Sequence, residues 1–213
     1  MPRSISEFQR QFYDQSHTEM VLHLSGIADL FLSSHLNRSG FQEAMLESLK
    51  QYYIRLALVA KGGRSLTDTD ISDLGLFLAL QQDFLSNFSN DIQEFVDGDQ
   101  TGTAAFATAA GVFRRSSLYA NAWSVYSRYL IPASLADVLP ALPGIDCLGG
   151  PACGCFLIWD VAGDSVEVLW KTTPGKETCV LCEDFAISWN PLVIPLDELD
   201  PDIFSEDQDF YSD

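Results

Sequence analysis

Cys153-Gly-Cys-Phe-Leu-Ile-Trp-Asp-Val-Ala-Gly-Asp-Ser-Val-Glu-Val-Leu-Trp170, followed shortly by Cys179-Val-Leu-Cys182, is the stretch that decides how this chain folds. Phe156 to Val161 and Val166 to Trp170 are runs of β-branched and aromatic residues, and between them Ala162-Gly-Asp-Ser165 supplies turn chemistry. That pattern predicts a β-hairpin. In an antiparallel pair the start of the first strand lies opposite the end of the second. Closing the hairpin at Gly163 therefore carries Cys153 and Cys155 towards Cys179 and Cys182, which follow the turn Thr173-Pro-Gly-Lys176. Four thiolates at about 2.3 Å around one ion are the usual ligand set of a structural zinc. Cys147, upstream across a Gly-Gly-Pro loop, is an alternative ligand that can stand in for Cys153.

The five cysteines all fall between residues 147 and 182, and an odd number cannot pair completely within one chain. Clustered thiols in a protein made in a reducing compartment point to a metal knot, with Zn as structural cofactor, and away from a disulfide framework. A redox-active CxxC is the lesser reading, because such a motif belongs at a helix start within a βαβ unit, a pattern this sequence lacks. A catalytic zinc is disfavoured, since it keeps an open position and takes His or carboxylate ligands, and the histidines lie far away in sequence.

Upstream of the cysteines the chain reads as helical. Phe8, Phe12, Met20, Leu24, Ile27, Leu30 and Phe31 recur at three- and four-residue steps, and Asn37-Arg-Ser-Gly40 interrupts them. A second helix is predicted from Phe41 to about Ala60 on the stripe Met45, Leu49, Tyr52, Leu56, stopped by Lys61-Gly-Gly-Arg64. A third starts at Thr67-Asp-Thr-Asp70, whose side chains cap free amides, and runs through Leu74, Phe77, Leu78, Phe84, Leu85, Phe88 and Ile92. A fourth is expected from about Thr103 to Leu130, Ala-rich and then aromatic at Tyr119, Trp123, Tyr126 and Tyr129. Pro132, Pro140 and Pro143 then mark a boundary that helix does not cross. Trp189-Asn-Pro-Leu-Val-Ile-Pro-Leu196 reads as a final loop.

The fold class is therefore α+β: a helical body at 1–138, a Cys-rich β-hairpin module resembling a zinc ribbon at 139–195, and an acidic tail at 196–213. The tail carries eight acidic and no basic residues from Asp197 onwards, interspersed with Phe204, Phe210 and Tyr211. It reads as a solvated terminus or as a segment that orders on a basic partner.

Composition sets the function classes aside one by one. Twelve Lys and Arg against thirty Asp and Glu give a net charge of −18. Clustered cations for phosphate contacts are missing, so neither direct nucleic-acid binding nor docking on an anionic membrane is expected. Apolar runs are too short to span a bilayer, and Met1-Pro-Arg-Ser-Ile-Ser-Glu carries no apolar leader segment. No nucleophile elbow, phosphate loop or dinucleotide fingerprint occurs. His17, His23 and His35 are all expected in the first helix, and His17 and His23, six apart, do not share a face as an i, i+4 pair would. The expectation is a protein that is not an enzyme.

In its order of features the chain resembles minor head proteins of tailed bacteriophages, the head-morphogenesis group. The resemblance covers roughly residues 105 to 195: the aromatic helix with Arg115-Ser-Ser-Leu-Tyr-Ala-Asn-Ala122, then Leu139-Pro-Ala-Leu-Pro-Gly144, the cysteine knuckle, the hairpin ending at Trp170, the CxxC and Trp189-Asn-Pro191. It implies a virion component made in the host cytoplasm and assembled into the phage head. Its partners would be the portal, the major capsid protein or further copies of itself, and Cys153, Cys155, Cys179 and Cys182 would be its metal ligands. Alternatives from other classes are a capsid decoration or cement protein, and a zinc-ribbon adaptor outside the virion.

Overall fold

Asn37 closes one helical stripe and opens the next: its Oδ1 accepts the Gly40 amide at 2.8 Å, capping the helix that follows. The computed structural model describes residues 7–97, 109–146, 153–172 and 178–199. Within them the chain is mostly helical, with one small antiparallel sheet. The elements are α1 (Glu7–Leu32), α2 (Arg38–Ala60), α3 (Asp68–Val96), α4 (Ala109–Ala120), α5 (Trp123–Tyr129), α6 (Ala133–Val138), β1 (Phe156–Ala162), β2 (Ser165–Lys171), α7 (Val180–Ser188) and β3 (Leu192–Pro195). Among the described residues no helix is long and apolar enough to cross a membrane.

The first core forms where the predicted stripes meet. Leu24, Ile27 and Phe31 of α1 pack with Met45, Leu49, Tyr52 and Leu56 of α2 and with Leu74, Phe77, Leu85, Phe88 and Ile92 of α3. Phe8 and Leu30 fall outside the buried arc of α1 and Phe84 at the edge of that of α3, and all three face solvent. A relay of rings ties the helices together. Phe31 stacks on Phe41 at 4.8 Å, Phe41 meets Phe88 edge to face at 5.7 Å, and Phe88 stacks on Tyr119 of α4 at 5.5 Å. Gly62 and Gly63, at φ 63 and 81°, end α2, and the Gly63 amide returns to Leu58 O at 2.7 Å.

The fourth helix and the placement of His35 depart from the sequence expectation. The helix expected to run to Leu130 is broken at Asn121-Ala122 into α4 and α5, while its expected first residues, 103–108, lie outside the described residues. Tyr13 of α1 causes the break: its hydroxyl donates to Asn121 Oδ1 at 3.2 Å, and its ring lies 4.8 Å from Trp123 and 5.6 Å from Tyr126. Burying those rings against α1 redirects the chain where the local sequence would continue it. His35 is the second: it lies past the end of α1, its ring nitrogen 2.9 Å from Ser33 Oγ.

The proline-rich boundary is more ordered than a linker. Pro132 starts a helix, with Ala136 N donating to Pro132 O at 3.0 Å, as a residue without a donor can do at a helix start. Gly144 adopts φ +81°, and a Cβ built there would collide with the Ser124 side chain and come within 3.1 Å of Phe77. Only glycine seats this turn against α5 and α3. Gly144→Ala is accordingly expected to destabilise the fold by about 1–3 kcal/mol, the usual scale for a left-handed non-glycine residue. Chemical denaturation of the two forms measures it, and equal midpoints would contradict the close approach.

The hairpin forms in the expected register, with Phe156 opposite Lys171 and Ala162 opposite Ser165, and Gly163 turns it at φ +66°. The stretch read as a final loop contains β3, which pairs antiparallel with β2 through Val166 opposite Ile194. Prolines at 191 and 195 bracket it, consistent with an edge strand that pairs on one side only. One face of the sheet buries Leu157, Trp159, Val166, Val168, Trp170 and Ile194 in a second core, joined by Ile131, Leu135 and Leu139. Leu199, past a single 3-10 turn at Leu196–Glu198, is buried in it too. Residues 200–213, the rest of the acidic tail, lie outside the described residues. Trp123 against Phe156, edge to face at 6.0 Å, links the two cores.

Candidate metal centre

Cys153 and Cys155 sit immediately before β1, and pairing of β1 with β2 fixes their position at the open end of the hairpin. The Cys155 amide donates to Cys153 Sγ at 3.4 Å, an orienting N–H···S bond of the sort that stabilises a thiolate. From the other side comes α7. Its N-cap is Cys179, in extended conformation at φ −71° and ψ 152°, and Cys182 lies in its first turn. The face that buries Cys182 continues through Phe185 to Trp189, whose rings pack on Trp170 at 4.7 and 5.3 Å. Those aromatic contacts anchor the helix on the sheet, and so fix where Cys182 points.

The result is three sulfur atoms, of Cys153, Cys155 and Cys182, all within 4.8 Å of one another and all buried. Cys153 Sγ and Cys182 Sγ are 4.0 Å apart, and no disulfide joins the four described cysteines. Tetrahedral thiolates at a zinc–sulfur distance of about 2.3 Å have sulfur–sulfur edges of about 3.8 Å. The observed separation is therefore close to a coordination edge and nearly twice a covalent disulfide. Cys182 lies in the first turn of α7, where the positive end of the helix dipole offsets part of the cost of burying a negative thiolate. These three cysteines can hold a metal ion.

Cys179 stands apart from the trio. It is half-buried, at the N-cap three residues before Cys182, and its sulfur is not within the 4.8 Å group. Cys147 lies outside the described residues. The sequence placed Cys179 and Cys182 on a turn after a strand, and they occupy a helix N-terminus instead. The signal was present: Cys182, Phe185, Ala186 and Trp189 follow the i, i+3, i+4, i+7 rule of a buried helical face.

The histidines form no second centre with one another. His17 stacks on Tyr13 at 6.1 Å. His23 Nε2 lies 2.9 Å from Ser48 Oγ in a surface groove with Glu19, Glu47 and Arg55. Ser48 gives its single hydroxyl hydrogen to Ala44 O at 2.7 Å, so the imidazole donates to the serine. That is the wrong direction for a general base activating a nucleophile.

Compared with protein families, curated proteins and solved structures, the chain matches none.

Proposed function

We propose that this chain is a structural protein without catalytic chemistry of its own, acting through protein–protein contacts, with a C-terminal module stapled by one zinc ion. Cys153, Cys155 and Cys182 would be three of its ligands and Cys179 the fourth, with Cys147 the alternative to Cys153. The observation that carries the reading is the buried thiol trio at the junction of hairpin and helix. Soft sulfur ligands in a tetrahedral set select zinc, and a fourth thiolate closes the coordination position that a catalytic zinc leaves to water. The assembly we propose is the head of a tailed phage, with the protein as a low-copy component contacting portal or capsid. What supports that setting is the Leu139 to Gly144 lead-in, the cysteine spacing and the Trp189-Asn-Pro191 exit. A net charge of −18 also fits protein partners better than packaged DNA.

Two measurements test this. Native mass spectrometry of the purified full chain should find one zinc per chain, and cobalt substitution should give the intense charge-transfer absorption of tetrahedral thiolate ligation. Particles purified from cells that make the protein should contain it at a few copies each. Hundreds of copies per particle would point to a decoration protein, and absence from particles would remove the head assignment in favour of an adaptor.

A further inference from the structure

Helix α7 is apolar on both sides. Cys182, Phe185 and Ala186 face the second core. On the opposite side Ile187 is 77% exposed, Val180 68% and Leu181 40%. Val180 and Ile187 are two helical turns apart and fall within about 20° of the same line along the helix. Exposed Glu183 and Asp184 flank them. Clustered exposed aliphatics on the outer side of a helix whose other side is already packed mark an interaction surface.

Charge narrows what covers this one. Residues 178–199 contain Glu183, Asp184, Asp197 and Glu198 and no Lys, Arg or His. A second copy brings the same acidic flanks and a net charge of −18, and the chain's own residues 200–213 carry six further acidic side chains and no cation. Nucleic-acid phosphates and anionic lipid headgroups share that sign. A polypeptide with aliphatic tips set among Lys or Arg satisfies both features, because long cationic side chains lie along apolar surface while their heads reach the flanking carboxylates.

We propose that the outer face of α7, Val180 and Ile187 between Glu183 and Asp184 with Leu181 on the flank beyond Asp184, docks a basic, apolar-tipped segment of a protein partner. This rests on the reading that the chain works through protein contacts, and it names the surface. The probe is a fluorescein-labelled helical peptide of Leu and Lys, with its Leu and Glu counterpart as control, titrated by anisotropy against the full chain. The Leu and Lys peptide should bind, less tightly as salt rises, and protect amides 180–188 from hydrogen exchange. Val180→Ser with Ile187→Ser, both at exposed positions, should weaken it roughly tenfold or more, and Glu183→Gln with Asp184→Gln should weaken it and flatten its salt dependence. Affinity unchanged in the serine variant, or protection centred on other elements, overturns the proposal. Self-association of the wild type that the serine variant abolishes also overturns it, in favour of a second copy. So does a chain ending at Leu199 whose amides 180–188 lose protection, since the acidic tail would then be the cover. If the face fails while the protein still co-purifies with particles in fixed ratio, only the surface is wrong. Absence from particles instead removes the head reading and leaves α7 to be judged by the peptide.

Discussion

On the proposed zinc reading, a strong chelator added to the full-length protein is expected to unfold the second core and leave α1 to α5 folded. Among the described residues sixteen buried ones form that core, three of them the clustered cysteines. So small an apolar core seldom stands alone without a metal, a disulfide or a partner. A structural zinc contributes on the order of 10 kcal/mol to the folding of small metal domains, more than the whole stability of many domains. Its removal leaves three buried thiols with no compensating charge and frees the first turn of α7. Trp159, Trp170 and Trp189 are buried in the second core, whereas Trp123 packs against the first. Intrinsic fluorescence therefore reports mainly the module, while far-ultraviolet circular dichroism reports mainly the helical body. A strong chelator should shift tryptophan emission to the red with little loss of helical signal, and zinc should reverse it. Cys182→Ser should behave like the chelated protein even with zinc present. Unchanged emission and melting temperature in chelator would show that aliphatic and aromatic packing hold the module, and the metal reading would fall.

How far the sequence revealed this arrangement depends on which physical force wrote each part of it. The first three helices were legible because caps, glycine stops and one-sided apolar stripes agree, from Asn37 at one start to Gly62 and Gly63 at one end. The hairpin was legible because its turn is local, and antiparallel geometry then brought Cys153 and Cys155 to the right end of it. The break at Asn121 was hidden, since it is imposed by Tyr13, more than a hundred positions upstream. Helix α7 was hidden for the opposite reason: Val180, Leu181 and Ile187 fill its outer face, so no clean polar side announces an amphipathic helix. β3 was masked by its flanking prolines, which signal loop in isolation and edge strand only once β2 is beside them. Of the predicted ligands, the structure gathers Cys153, Cys155 and Cys182, and the unforeseen helix accounts for Cys179 standing one turn away.

Arg128→Met is expected to cost the helical body about 3–5 kcal/mol, the scale for removing one member of a buried ion pair. The Arg128 side chain is 2% exposed, and its guanidinium lies 2.7 Å from Asp73 Oδ2, itself on a side chain 14% exposed. The pair is imperfect: Arg128 Nε is buried without a partner, and the contact leaves Asp73 Oδ2 without a well-aligned hydrogen bond. Burial pushes the Asp73 carboxyl above its usual range, and Arg128 only partly opposes this. The sign follows from linkage. A carboxyl whose folded pKa is raised contributes stability that is fully present below its unfolded pKa and is lost as pH rises through the folded value. Ionised Asp73 is thus a burden at neutral pH that Arg128 lightens, and without Arg128 its pKa climbs further. The deficit of the methionine variant should be greatest near pH 7 and shrink as pH falls through the raised pKa of the lone Asp73, where it takes a proton. Asp70 next door responds in the other direction. Burial raises it, but Lys61 at 2.6 Å and the Thr67 amide and hydroxyl outweigh that and bring it below the usual range. Its contribution is present above the ordinary carboxylate range and fades as pH falls through the lowered value, on the acid side of the range in which Asp73 titrates. Paired thermal melts across that interval isolate Asp73. A deficit that stays constant with pH would mean that Arg128 acts by packing alone, over the Tyr129 ring 5.8 Å away, and that its charge does not hold the ionised carboxylate in place.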